Sequence, residues 1–136
     1  MDDSGIDEVV RRFVESWNRR DWTAFGSCFS ARSDYVTGEA DHWSGRETIS
    51  RKMNELMLAG GTGGTAVIAG RTIRRLGSDV ALVHLAWRLV EGEPTTASPA
   101  LARSGMTILV VALHDHTWLI EAAQNTDAPS SPLNLA

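Results

Sequence analysis

Few residues in this chain have side chains suited to acid–base or binding chemistry inside a fold, and most of those lie in apolar, β-branched stretches. Val80–Val90 alternates cleanly, so Ala81, Val83, Leu85, Trp87 and Leu89 share one face, and Val80, Leu82, His84, Ala86 and Arg88 the other. In one reading His84 and Arg88 bind or polarise an anionic or carbonyl ligand; in the other they lie in a sheet-to-sheet dimer contact, paired with a carboxylate such as Glu121. Trp87 belongs to the opposite set, which reads as core or cavity wall. The same alternation in Trp118–Thr126 puts Trp118, Ile120, Ala122 and Gln124 on one face and Leu119, Glu121, Ala123 and Asn125 on the other. A neutral amide, Gln124 or Asn125, at the mouth of an apolar cavity orients a hydroxyl or carbonyl without adding charge. Its alternative role is to satisfy backbone groups where the sheet ends. Tyr35, the only tyrosine, offers a phenol to a bound oxygen or serves as an amphipathic core ring. Asp34 is the nearest carboxylate, but alternation turns it to the opposite face. The candidates for proton transfer are therefore His84, Tyr35 and Asp34.

Other chemistries find no support. His114-Asp115-His116 holds metal-ligand types, yet it occupies a hairpin turn and has no third or fourth ligand nearby, so no metal site is expected. Gly60-Gly61-Thr62-Gly63-Gly64 follows a helix and precedes a strand, the reverse of a phosphate loop, and lacks the Lys-Ser/Thr pair. There is no dinucleotide fingerprint and no Gly-x-Ser-x-Gly elbow, and no cofactor is expected. Cys28 is flanked by apolar residues and reads as an inert buried thiol.

The elements that would position these groups follow from periodicity. Ile6, Val9, Val10, Phe13, Val14 and Trp17 recur at helical spacing behind Ser4, a candidate N-cap, and predict a helix to about Asn18. Asp21 would cap a second, short helix carrying Trp22, Phe25 and Phe29. Short extended pieces follow at Asp34–Thr37 and near His42-Trp43. A third helix runs from Arg46 to about Ala59 along Ile49, Met53, Leu56 and Met57. The period then changes to 2, giving strands at Thr65–Leu76, Val80–Val90, Gly105–His114 and Trp118–Thr126. Glu91–Arg103 reads as a longer loop or frayed edge because of Pro94 and Pro99. Asp127–Ala136 reads as a mobile tail, leaving residues 1–126 as one domain.

Helices first and antiparallel strands last is the α+β pattern. The length of 136 residues supports a single core. A net charge of −4 argues against nucleic acid or anionic lipid as a partner. No apolar run reaches the ~20 residues of a membrane span. A lone cysteine and an acidic, signal-free start fit a reducing cytoplasm.

Four local patterns, in order, resemble one superfamily: Trp17-Asn18-Arg19-Arg20-Asp21-Trp22; Gly45-Arg46-Glu47-Thr48-Ile49; Arg74-Arg75-Leu76-Gly77-Ser78-Asp79-Val80-Ala81; and Trp118-Leu119-Ile120-Glu121-Ala122-Ala123-Gln124-Asn125-Thr126. The chain resembles the nuclear transport factor 2-like (SnoaL-like) superfamily. Its wording is closest to the SgcJ/EcaC-type branch, associated with polyketide and enediyne antibiotic clusters. The resemblance implies a cone: a strongly curved antiparallel sheet with three N-terminal helices covering its concave face. It places His42-Trp43 at the cavity rim and Tyr35 where pocket residues often stand. Ketosteroid isomerases of this superfamily use a first-helix Tyr and an Asp followed by Pro. Here Phe13 stands in the Tyr position, and the base falls near Tyr35 or Val36, where there is no carboxylate. That mechanism is not implied.

Three functions compete. The first is a pocket protein of a polyketide-type pathway, binding an apolar, unsaturated small molecule through Tyr35, Trp43, Met53, Met57, Trp87, Gln124 and Asn125. The second is an acid–base enzyme, a cyclase, dehydratase or isomerase. The third is an interaction subunit without ligand. A homodimer is expected, since both faces of Val80–Val90 are apolar.

Overall fold

The computed structural model describes residues 2–61, 63–91 and 100–128. Helix α1 (Ser4–Arg19) turns Ile6, Val9, Val10 and Phe13 inward. Ser4 is its first helical residue rather than its cap, and the Asp2 carboxylate accepts from the Ser4 backbone N–H at 2.8 Å. The helix stops where Arg20 takes a left-handed conformation (φ 58°) and returns its N–H to Ser16 and Trp17. Asp21 then caps α2 (Trp22–Ser27) by accepting from Ala24 N at 3.1 Å. The spacing of Trp22, Phe25 and Phe29 predicts one helix through all three, but Phe29 opens strand β1 (Phe29–Val36). The three rings still pack in series, with centroids 5.4 Å apart at each step.

Strand β2 (His42–Ser44) pairs back on β1, and Gly45 (φ 93°) leads into α3 (Arg46–Leu58). A side chain is disfavoured at that angle, and the Gly45 N–H donates to Ser33 O at 2.7 Å. Four long strands follow: β3 (Thr65–Arg75), β4 (Val80–Glu91), β5 (Ala100–His114) and β6 (Thr117–Asp127). The sheet order is β2-β1-β6-β5-β4-β3. All pairings are antiparallel, as expected, except β1 with β6, which is parallel.

The helices cover one face. Ala81, Val83, Leu85 and Leu89 of β4 are buried there, as are Leu109 and Val111 of β5. Alternation therefore holds in β4, and Trp87 shares the helix-covered face. It fails in β6. Ile120 pairs with Val111 and Ala123 with Leu109, with a register shift between Val110 and Val111. The extra residue reverses parity, so Ile120 and Ala123 are both buried against the helices. Asn125 follows Ala123 onto the covered face and Gln124 falls on the other.

Two further departures lie at the ends of strands. β5 begins at Ala100, where a loop is expected from the prolines; residues 92–99 of that segment lie outside the described residues. β6 runs through Asp127, and Ala128 N donates to Ser104 O at 2.8 Å. The rest of the expected tail, 129–136, also lies outside the described residues. Among the described residues no helix is long and apolar enough to cross a membrane.

Candidate functional site

Asn18, at the end of α1, clamps the edge of the sheet. Its Nδ2 donates to Ala66 O at 3.1 Å and its Oδ1 accepts from Ala66 N at 2.8 Å. This two-point contact fixes Trp17, its neighbour, beside β3. Two cavities open between α1, α3 and the covered face of the sheet. The inner one, about 80 Å³, is walled by apolar side chains that include Phe13, Ile68, Leu85 and Leu89. The outer one, about 390 Å³, lies against Trp43, Met53, Leu56 and Met57, with Glu39, Asp41 and Asp127 at its rim. Trp17, Tyr35, Arg103 and Asn125 line both. They form a neck between the two.

The neck holds a directed hydrogen-bond network. Thr107 Oγ1 of β5 donates to Asn125 Oδ1, and Asn125 Nδ2 donates to the Tyr35 hydroxyl at 3.1 Å. The Tyr35 oxygen thus accepts, and its own hydrogen has no acceptor among the described residues. Tyr35 is 3% exposed. Burial holds its phenol above the usual range, outweighing the opposite effects of the Asn125 hydrogen bond and the Arg103 charge. The group is therefore a neutral donor at physiological pH. Trp43 stacks on the Tyr35 ring, with centroids 5.5 Å apart and planes 15° from parallel.

Arg103 pairs with Asp127 at 2.8 Å and lies over Trp87, 5.8 Å from its ring centroid. Trp87 Nε1 is buried without a hydrogen-bond partner among the described residues. The indole lies across Gly105, where a Cβ would stand 2.5 Å from Trp87 Cζ2 and 2.3 Å from Thr126 O. Glycine is needed there for the close approach.

The sequence-derived candidates divide between the faces. Tyr35, Trp43, Met53, Met57, Trp87 and Asn125 come together around the cavities. Gln124 stands on the other face, exposed, opposite Ile108 and Val36. His84 is also on that face, half-buried between Thr72 and Ile108; Arg88 is exposed between Val67 and Ser104. Their four-residue separation spans about 13 Å of strand, too far for one small group. Glu121, offered as their partner, instead accepts from Ser30 Oγ at 2.8 Å and pairs with His114 across the β5–β6 hairpin.

Asp34 likewise faces away from the cavities. It accepts from Ser44 Oγ at 2.9 Å and contacts His42 Nε2 at 2.7 Å. The hydrogen bonds from His42 and then Ser44 lower its carboxyl below the usual range. His42 is exposed with it, so only Trp43 of the expected rim pair lines the outer cavity. Among the described residues no three His, Cys, Asp or Glu side chains could hold a metal together.

Three site residues escape the sequence reading. Thr107 was legible by parity, two residues before the buried Leu109. Arg103 sits in a segment that Pro94 and Pro99 mark as loop. Trp17 continues the apolar spacing of α1 and reads as core.

No family model matches the chain, and no curated protein does. Solved structures do. A Nostoc punctiforme domain of unknown function with a cystatin-like fold is 25% identical, covering 98% of this chain and 81% of its own, with a TM-score of 0.78. An NTF2-like protein with a cystatin-like fold from Novosphingobium aromaticivorans is 15% identical over 97% of this chain and 85% of its own, at a TM-score of 0.75. A ketosteroid isomerase-like protein from Erwinia carotovora atroseptica is 12% identical over 93% of this chain and 96% of its own, also at 0.75. Their agreement over almost the full chain gives this protein a cystatin-like, NTF2-like α+β fold.

Proposed function

We propose that this protein binds an apolar, unsaturated or aromatic small molecule in the paired cavities, without a charged catalytic base. The observation that carries the reading is the lining: an apolar inner chamber with no carboxylate or histidine among the described residues, joined at a neck to an outer cavity faced by Trp43, Met53 and Met57. The outer volume lies within the range of small-molecule sites, ≈ 300–1,000 Å³. Methionines give such a wall an adaptable surface. Among the described residues the rim sets the carboxylates Glu39, Asp41 and Asp127 beside Arg103, an unfavourable entrance for phosphates and nucleotides. Resemblance to the SgcJ/EcaC-type branch extends the proposal to an intermediate or product of polyketide-type, including enediyne-type, antibiotic biosynthesis.

The working form we propose is a homodimer through the uncovered sheet face. That face carries Leu82, Ile108 and Val110, with Met106 43% exposed and Val67 37%. A second reading, an acid–base enzyme, has one specific support: the Tyr35 O–H is a buried, neutral donor with no protein acceptor among the described residues.

Titration with polyene and aromatic ligands, followed by tryptophan fluorescence, tests the proposal. Micromolar binding that survives His84→Ala is the expected result. No binding down to millimolar affinity, alongside tight binding of a charged metabolite, overturns it. Turnover of a ligand, lost in Tyr35→Phe, moves the assignment to the enzyme.

A further inference from the structure

The polar groups at the neck point to a chemical feature of the ligand and to its place along the ligand's length. This placement rests on the binding reading above and deepens it. Two protein groups lie where the two cavities meet, the Tyr35 hydroxyl and the Arg103 guanidinium, and a third, the Trp87 indole, lines the inner chamber. All three are donors. The Thr107–Asn125–Tyr35 chain runs in one direction, with Asn125 Oδ1 and the Tyr35 oxygen accepting, and ends on a phenolic hydrogen. Burial keeps that phenol protonated. Trp87 Nε1 has no acceptor among the described residues, although its atom is buried. An indole N–H in that position costs free energy unless something accepts from it. Asp127 is bound to Arg103 and stands at the rim of the outer cavity only.

The volumes then fix the position. The inner chamber is about 80 Å³. On the scale by which a cavity of roughly 150 Å³ takes up the six carbons of benzene, that is room for about three carbons. The outer cavity, about 390 Å³, has room for a fused aromatic or a polyene.

We infer that the ligand carries a carbonyl-type acceptor about three carbons from a narrow apolar end. The narrow end enters the inner chamber past the Trp87 N–H, the acceptor meets the Tyr35 O–H at the neck, and the unsaturated body lies against Trp43 and Met57. A ketone, an ester or a carboxamide supplies the required lone pairs.

Isothermal calorimetry with 2-acetyl-, 2-butanoyl- and 2-hexanoylnaphthalene tests this, with 2-butylnaphthalene as the probe whose carbonyl is replaced by methylene. In the wild-type protein the butanoyl probe should bind tightest. It should bind roughly three- to tenfold more tightly than 2-butylnaphthalene, the range expected for one net hydrogen bond. In Tyr35→Phe, which keeps the ring stacked on Trp43, that ratio should fall below about twofold. Trp87→Phe supplies an independent variant: it too should reduce the ratio, whether or not Tyr35→Phe folds. Equal binding of ketone and hydrocarbon by the wild type, or affinity that keeps rising to the hexanoyl probe, overturns the inference and leaves the binding proposal standing. Failure of all four probes to bind overturns both.

Discussion

Ala66→Leu measures the inner chamber directly. Ala66 lines that chamber from β3, opposite Leu89, and its backbone is held on both sides by Asn18. Leucine adds three carbons, close to what the 80 Å³ accommodates. At about 24 cal/mol per Å³, a chamber of that size costs the fold at most about 2 kcal/mol. Filling it recovers at most that amount, less the rotamer strain of placing leucine on a clamped strand, about 1 kcal/mol. The expected outcome is a protein more stable by about 1 kcal/mol, with a Tm raised by a few degrees. Binding of ligands with a narrow end should weaken at least tenfold, whereas compact aromatics confined to the outer cavity keep their affinity. Urea denaturation at fixed m-value gives the first quantity and calorimetric titration the second. Destabilisation beyond about 2 kcal/mol would show that the walls are already in contact and would refute the volume argument.

Phe25→Ala should cost about 3–5 kcal/mol by urea denaturation, because Phe25 is 0% exposed and packs against Phe13, Trp22, Phe29 and Tyr35. The carboxyl of Asp34 is lowered by His42 and Ser44, so its contribution is present above about pH 4, the unfolded value, and lost as pH falls through the folded one. Asp34→Asn should therefore cost under about 1 kcal/mol at pH 7, since the pair is half exposed, and progressively less as pH falls below about 4, while ligand affinity stays unchanged. Burial raises the Cys28 thiol, so a disulfide reagent at pH 8 should modify it only as fast as the protein opens; rapid modification in native buffer would contradict the packing. Sedimentation at micromolar concentration should give a dimer, and Leu82→Arg should give a folded monomer.

Much of the architecture is legible in the sequence because it rests on local periodicity. Ile6 to Phe13 and Ile49 to Met53 mark helices, and the odd-numbered residues of β4 identify the covered face. What is not legible depends on residues distant in sequence. Phe29 keeps helical spacing from Phe25 but is taken up by β6, since parallel pairing with Ile120 outweighs one more helical turn. Parity in β6 assumes an unbroken ladder, and one extra residue, Glu121, exchanges the roles of Gln124 and Asn125. Arg103 joins the site because β5 extends past its partner hairpin into a segment whose prolines suggest a loop. The bond from Asn125 to Tyr35 links residues 90 positions apart, a distance no local pattern spans.

The parallel pairing of β1 with β6 has a consequence for how the chain reaches this state. β6 sits between β1 and β5, so the hairpin stack β3-β4-β5 and the β2-β1 pair remain separate until Thr117–Asp127 inserts. During synthesis α1, α2 and β1 leave the ribosome long before that strand, with Phe25 and Phe29 as unshielded apolar surface. Joining the two halves closes a loop of about ninety residues, which raises contact order and places folding toward the millisecond-to-second end for domains of this size. Until then the free edge of β5 is an open template for another chain, so aggregation competes most with folding in that interval.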